Sequence, residues 1–504
     1  MTDSRALPSA DAAELRRRPL GLGLLAVYGA GNIGDAVFQA CLATFLFYYL
    51  TEVCGMANSL AGLSLFLALT VDAVVDPLVG SISDNSWSRW GRRHPFMLGA
   101  AFPMAVGLGL MFSLPAGLSG PTLFAYVTLI SVVLRVSHSF YFLPYIALGA
   151  ELSDDYAERT NIVAARFLLS VAGTATAVGL GYGVFMRGAG GLLHRQAYAP
   201  FGWACGLAML AAVLFSALGT LRALPRLHRI APPSGSLVRR FIRDVGEIFR
   251  NRSFVILFCS LLLLFIAAGT AATLFQHIAT FFWKLPGGVI GVIALSAPAG
   301  LVIGVPISVF LSNRFEKRSV VSGCFVIFVA YYAIVPMMRI LGVLPAEGLI
   351  LDAILIGLAI VMGAVVGCAG IGFQSMMADA ADEHEFLFGT RREALYYAGL
   401  NFSAKAASGL GVLVAGVGLD LIRFPTNLAA HATTAVEIPE ETLRNLGLIY
   451  GLGVAAIFVL GAVVFLAYRL DRPAYGKIQE ALEGRRRAAE LQPGPLGGGA
   501  PSGR

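Results

Sequence analysis

Apolar residues in this chain run in blocks long enough to cross a bilayer, separated by short polar stretches. At about 20 residues per span, the blocks predict twelve transmembrane helices, beginning near Leu22, Ala57, Phe96, Thr122, Ile162, Phe201, Phe254, Gly288, Val320, Leu349, Leu395 and Leu446. A polar stretch from Arg222 to Arg252, containing Pro225, Pro232 and Pro233, separates the first six from the last six. The expected organisation is an N-terminal tail (1–20), a six-helix bundle (21–222), a linker (223–252), a second six-helix bundle (253–470) and a C-terminal tail (471–504). In the linker, Leu237, Val238, Phe241, Ile242, Val245, Ile248 and Phe249 recur at helical spacing. They predict an amphipathic helix over Ser236 to Arg250 on the membrane surface, with Arg239, Arg240 and Arg243 toward lipid phosphates. The C-terminal tail reads as a charged helix, Tyr475 to Leu491, followed by a Pro/Gly-rich end expected to be disordered.

Composition agrees with an all-α membrane protein. Of 504 residues, 57% are hydrophobic and only 13% charged, which excludes a soluble globular chain. The 58 glycines suit membrane helices that approach closely, as in the run Gly173 to Gly183. Six scattered cysteines have no ligand spacing, so neither a disulfide framework nor a metal site is expected. The net charge of +7 falls in alternate loops: Arg16 to Arg18, Arg89 to Arg93, the linker, Arg314 to Arg318 and the C-terminal tail. By the positive-inside rule both termini and the linker face the cytoplasm. Arginines spread over separate loops beside membrane spans do not form a nucleic-acid surface, so no nucleic-acid partner is expected. The first helix is too long for a signal-peptide core and is expected to be retained.

Polar residues inside the apolar blocks carry the candidate chemistry. Asp72 and Asp76 are one turn apart and share a helix face. A carboxylate in mid-membrane costs about 2.5 to 3.5 kcal/mol on insertion scales, so a pair demands a cation, a proton or a wet cavity. The alternative is a solvated or arginine-paired structural role near the helix end. Lys405, in the otherwise apolar or small stretch Leu400 to Val417, is a suitable partner for the pair, or else snorkels. Arg135 and His138 lie one turn apart with Ser139 next. An intramembrane arginine suits either an anionic solute or a standing carboxylate partner among Asp35, Asp72 and Asp76. Gln276 and His277 are candidates to line a cavity from the second half. Gly29-Ala-Gly31-Asn-Ile-Gly34 matches G-x-G-x-x-G but follows no strand and lies in a span, so it is not a nucleotide fingerprint. The acidic run Asp379 to Glu385, with His384, reads as a solvated cytoplasmic loop. No P-loop and no nucleophile, base and oxyanion arrangement occur at useful spacing, so neither ATP-driven transport nor an enzyme is expected.

Between the second and third helices, Gly80, Asp84, Arg89, Gly91, Arg92 and Arg93 form a G-x-x-x-D-x4-R-x-G-R-R loop before Pro95. Its arginines are placed to reach carboxylates across the half-bundle, a contact that can be made in one state and broken in another. The loop resembles the one that marks the major facilitator superfamily. The preceding D-x-x-x-D-P, the stretch Pro144 to Thr160, the segment Met377 to Lys405 and the first-helix run Tyr28 to Asp35 resemble the glycoside-pentoside-hexuronide:cation symporters.

That resemblance implies a major facilitator fold and multi-pass insertion in a bacterial inner membrane. It also implies cation-coupled symport of a sugar, glycoside or hexuronide by alternating access, by a monomer without cofactor. It places the cation site at Asp72, Asp76 and Ser139 with Lys405 close by, and the coupling ion is H+ or Na+. Val75 stands where the melibiose permease-like pattern has a polar asparagine, which removes one oxygen ligand. Of the pattern's sugar-binding acids, Asp35 lies one residue earlier and Phe142 replaces the other, while Arg166 matches a family arginine. The aromatic run Phe140 to Phe142 keeps open a lysolipid or other amphiphile as solute.

Overall fold

The computed structural model describes residues 20–86, 88–153, 155–187, 191–226, 246–389, 393–431 and 438–491. Most of the expected linker helix, the N-terminal tail up to residue 19 and residues 492–504 lie outside them.

Twelve helical rods follow one another among the described residues, and each predicted start lies within about six residues of an observed one. The first half holds α1 (Leu22–Ala40, prolonged by π-helical turns Cys41–Leu46 and Tyr49–Val53), α2 (Asn58–Asp84), α3 (His94–Met111), α4 (Gly120–Glu151), α5 (Tyr156–Val178, prolonged through Gly179–Phe185) and α6 (Arg195–Thr220). The second holds α7 (Arg252–His277, prolonged through Ile278–Phe282), α8 (Gly287–Arg314), α9 (Lys317–Ile340), α10 (Leu349–Phe388), α11 (Glu393–Leu421) and α12 (Glu440–Leu466). A charged helix, α13 (Arg472–Leu491), follows. Eleven of these helices are long and apolar enough to cross a membrane; α1, which carries Asn32, Asp35 and Gln39, falls outside that set.

Within the first half α1 packs on α5 and α6, and α4 on α2 and α3; within the second, α8 packs on α10 and α7 on α11 and α12. The α8–α10 seam depends on glycine. A Cβ at Gly300 would strike the Ile360 carbonyl oxygen, and one at Gly363 that of Ala297, so only hydrogen lets the backbones meet.

Where the halves touch, the two ends of the molecule differ. At the face opposite the linker, here the far face, Asn58 Nδ2 donates to Asp420 Oδ1 at 3.1 Å and the Ser59 amide to Asp420 Oδ2 at 2.9 Å. The Asn427 amide donates to the Thr51 carbonyl at 2.9 Å, and the Tyr182 hydroxyl to Gln276 Oε1. Toward the linker face, the ion pairs among the described residues stay within one half: Arg92 and Arg93 with Glu151, and Lys317 with Asp379. The far face is therefore the sealed one.

One expected loop is a helix. Asp379 to Glu385 belong to α10, which continues to Phe388 and ends at Gly389 with φ of 72°. Ala380, Ala381 and Glu383 are good helix formers, and no glycine or proline interrupts before Gly389. His384 is fully buried, its ring 4.6 Å from Phe388 and 5.7 Å from Tyr396.

Candidate cation and solute site

Asp72 lies fourteen positions into α2, roughly 20 Å along its axis, so its carboxylate sits at mid-depth. Lys405, mid-way along α11, comes from the other half and bridges the pair: Nζ donates to Asp72 Oδ2 at 2.9 Å and to Asp76 Oδ2. Ser139 of α4 donates a short hydrogen bond to Asp72 Oδ1. Asp72 is fully buried, and Asp76 Oδ1 is buried without a partner among the described residues. The residues at these four positions thus meet in one cluster, in which the ammonium stands where a cation shared by the two carboxylates would.

A second polar pair lies beside it. His138 Nε2 is 2.7 Å from Asp35 Oδ1, and both residues are buried. The imidazole is sandwiched between Phe38, at 4.4 Å and 5° between planes, and Phe142, at 5.2 Å and 20°. Phe142 therefore fixes the ring that holds Asp35. Arg135 stacks over Phe38 at 5.6 Å and lies within electrostatic range of Asp72, Asp35 and Asp76. Among the described residues no carboxylate is in ion-pair contact with it, so its donors remain available.

Arg135 and Lys405 line a cavity of about 460 Å³ between the halves, walled by α1, α2, α3, α4, α7 and α11. Its other polar lining is Gln39, Ser131, Thr273 and Ser408; the rest is apolar or small, with Leu42, Leu46, Phe47, Leu65, Leu69, Met111 and Val412 prominent. Lys405 and Asp76 also line a second cavity of about 490 Å³ that leads toward the linker face past Gly80 and Phe249. Lys405 thus lines both spaces, and Asp76 meets it from the linker side.

Gln276 and His277 do not line the central cavity. Gln276 accepts from Tyr182 and donates to Thr280 at 3.0 Å; His277 is fully buried with Nε2 3.1 Å from Glu52 Oε1. One turn earlier on α7, Thr273 faces the cavity instead. Arg166 of α5 is also outside the cavity lining, its guanidinium 5.5 Å from the Tyr145 ring and its carbonyl accepting from Asn32 at 3.2 Å.

In the loop after α2, Arg93 donates to Glu151 of α4 at 2.9 Å and to Ser83 at 2.7 Å and pairs with Asp84, while Arg92 pairs with Glu151 at 2.8 Å. Gly91 has φ of 81°, which glycine adopts at least cost, and Gly80 opens onto the linker-side cavity. Arg89 instead stacks over Trp90 at 5.4 Å. The second half has a counterpart: Lys317 meets Asp379 at 2.7 Å, and Tyr475 of α13 donates to Asp382 at 2.7 Å. Burial, followed by that bond to Asp382, pushes the Tyr475 hydroxyl above its ordinary range, so it stays a donor.

A family model described as "MFS/sugar transport protein" matches residues 27–472, from the first helix to the last. The chain belongs to the MFS/sugar transport family. A symporter of Synechocystis sp. is 34% identical over 198 residues, 38% of this chain and 36% of that one, so the match spans about a third of the relative's length. The isoprimeverose transporter of Lactiplantibacillus pentosus is 24% identical over 455 residues, 88% of both chains. Among solved structures, a mutant form of the nucleoside transporter NupG superposes with a TM-score of 0.62 over 88% of this chain and 99% of that one, at 13% identity, which speaks for the fold alone. Membership of that family and the eleven membrane-crossing helices among the described residues agree with the multi-pass fold that the loop after α2 and the D-x-x-x-D-P run imply.

Sequence reasoning missed Gln39, Ser131, Thr273 and Ser408 of the cavity wall. Gln39 follows Asp35 by four positions, Ser131 precedes Arg135 by four, and Ser408 follows Lys405 by three. Extending each charged position by one turn on its own face would have found these three, and the same step back from His277 finds Thr273.

Proposed function

We propose that this transporter couples entry of a small solute, a sugar, glycoside or hexuronide, to a cation that binds at Asp72 and Asp76, with protons as the coupling ion. The observation that carries it is Lys405 Nζ bridging both carboxylates. A cation that displaces the ammonium breaks the mid-depth contact between α2 and α11, so occupancy and the relation of the two halves are linked. A single proton needs only one carboxylate oxygen, and Asp76 Oδ1 is an unpartnered one. Sodium prefers several oxygens, and Val75 supplies none. Arg135, with free donors in the cavity wall, supports an acidic group on the solute. The linker face is taken as cytoplasmic, in a bacterial inner membrane, and the functional unit as a monomer.

One observation favours a second reading. The cavity wall is dominated by leucine and other aliphatic groups, with two cations, Arg135 and Lys405, among them, and that composition suits an amphiphilic anion such as a lysolipid. Thermal-shift measurements on the purified protein with neutral sugars, uronates and lysolipids, at several pH values with and without sodium, test both. Stabilisation by uronates that sodium leaves unchanged supports the first, and stabilisation by lysolipids alone replaces it with the second. No response to any of them, with no counterflow in vesicles, would overturn both.

A further inference from the structure

At the far face, Glu52 and His277 form a second buried titratable pair that the cation site does not use. Glu52 lies in the last π-helical turn of α1 and His277 at the end of α7, so the contact joins the two halves. Both residues are 0% exposed, with Nε2 and Oε1 3.1 Å apart and Thr51 Oγ1 3.4 Å from the same nitrogen. Glu52 Oε2 and His277 Nδ1 are buried without partners among the described residues. Aromatic rings close the cage: Phe47 at 5.7 Å, Tyr48 at 5.2 Å, Phe424 at 5.6 Å and Phe281 at 6.4 Å from the imidazole. Phe47 also lines the central cavity, so the pair sits directly behind the cavity's far wall.

Other ionisable groups around the pair are engaged or neutral. From α1 the Tyr48 phenol faces the carboxylate. Arg195 of α6 is directed at the Val53 and Leu114 carbonyls, Asp420 of α11 at Asn58 and Ser59, and Tyr182 of α5 at Gln276. The connection after α11 offers Phe424, with Arg423 exposed. The charge of the cage therefore depends on the protons held by Glu52 and His277.

With one proton between them the pair has no net charge, as carboxylate with imidazolium or as acid with imidazole, and the buried contact is satisfied. Removing that proton leaves a lone carboxylate in a buried aromatic cage; adding a second leaves a lone imidazolium. The Thr51 and Tyr48 hydroxyls carry no net charge to balance either ion, so full relief comes from water, which reaches the pair when the halves part at the far face. We propose that Glu52 and His277 form a proton-binding site, distinct from Asp72, Asp76 and Lys405, whose singly protonated state locks the far gate and whose loss or gain of a proton opens it. The inference rests on alternating access and on no particular solute or coupling ion.

Hydrogen–deuterium exchange of the far-gate segments 47–56 and 276–285 tests it in the full chain in nanodiscs, without solute or gradient. Rates are read from about pH 5 to 9, spanning the ordinary His value and the upper flank of the carboxylate range, and corrected for intrinsic exchange with an unfolded control. Protection should be greatest at intermediate pH and fall several-fold toward both ends. Glu52→Gln should lose the alkaline fall and His277→Gln the acidic one. The double variant, which buries no charge and so guards against misfolding of the singles, should give a flat profile. A flat or one-sided profile for the unmodified protein, or two limbs persisting in the double variant, would overturn the proposal. Because the cation site is untouched, a failure of coupled uptake leaves this result standing, and the reverse.

Discussion

The proposed coupling turns on Asp76, which shares Lys405 with Asp72 while one of its oxygens has no partner among the described residues. Asparagine keeps its shape but cannot change proton or cation occupancy. Asp76→Asn should abolish uphill accumulation in proteoliposomes while the protein stays monodisperse; undiminished accumulation would remove Asp76 from coupling. Lys405→Val leaves two neighbouring carboxylates without their ammonium, and breaking a buried pair in this way costs about 3 to 5 kcal/mol. That variant should cycle slowly, with partial recovery when Asp72 is also changed to Asn; normal exchange by the single variant would contradict the bridging role. Arg135 contacts Phe38 through its flat face and has donors to spare. Arg135→Lys keeps the charge but loses the bidentate fork, so uronate binding should weaken by roughly tenfold, about 1.4 kcal/mol, while neutral glycosides are spared. Equal loss for paired acidic and neutral sugars would instead mark Arg135 as part of the charge balance around Asp35 and Asp72.

At the scale of elements, seams of small residues determine how closely helices approach. Gly300 and Gly363 set the α8–α10 distance, since a side chain at either meets the opposite backbone. Gly300→Val should lower stability by about 1 to 3 kcal/mol, as overpacked sites do, seen as a lower melting temperature in detergent. Gly288 at the start of the same helix has open space around it, and Gly288→Ala should melt within error of the parent. The π-helical turns in α1 and α7 matter in a related way. Each adds a residue to a turn near the far face, and those turns carry or directly follow Glu52 and His277.

The whole molecule holds its far face shut through Asn58, Ser59, Thr51 and Tyr182, while ion pairs nearer the linker stay inside each half. Parting the far-face contacts while bringing the linker-side ends together would expose the central cavity on the other side, the movement that alternating access requires. With the proton coupling proposed above, vesicle uptake should follow an imposed inward pH gradient and respond weakly to a sodium gradient. The opposite ranking would return the site to sodium despite Val75.

The blocks of apolar residues by themselves determined the twelve helices, because a bilayer demands continuous apolar length and backbone hydrogen bonds made within each span. The isolated charges Asp72, Asp76 and Lys405 were legible for the same reason, since an ionised group in such a block stands out from everything around it. Pairing was another matter. Hydropathy states how costly a charge is but not which helix meets it, and α2 and α11 lie hundreds of residues apart. Tertiary packing alone decided that Phe142 stacks on His138, that Arg135 faces the cavity without a carboxylate in contact, and that Gln276 and His277 turn into the far-face seal. A one-residue shift turns a helix by about 100°, and only the neighbouring helices decide whether the side chain then meets water, solute or another ring.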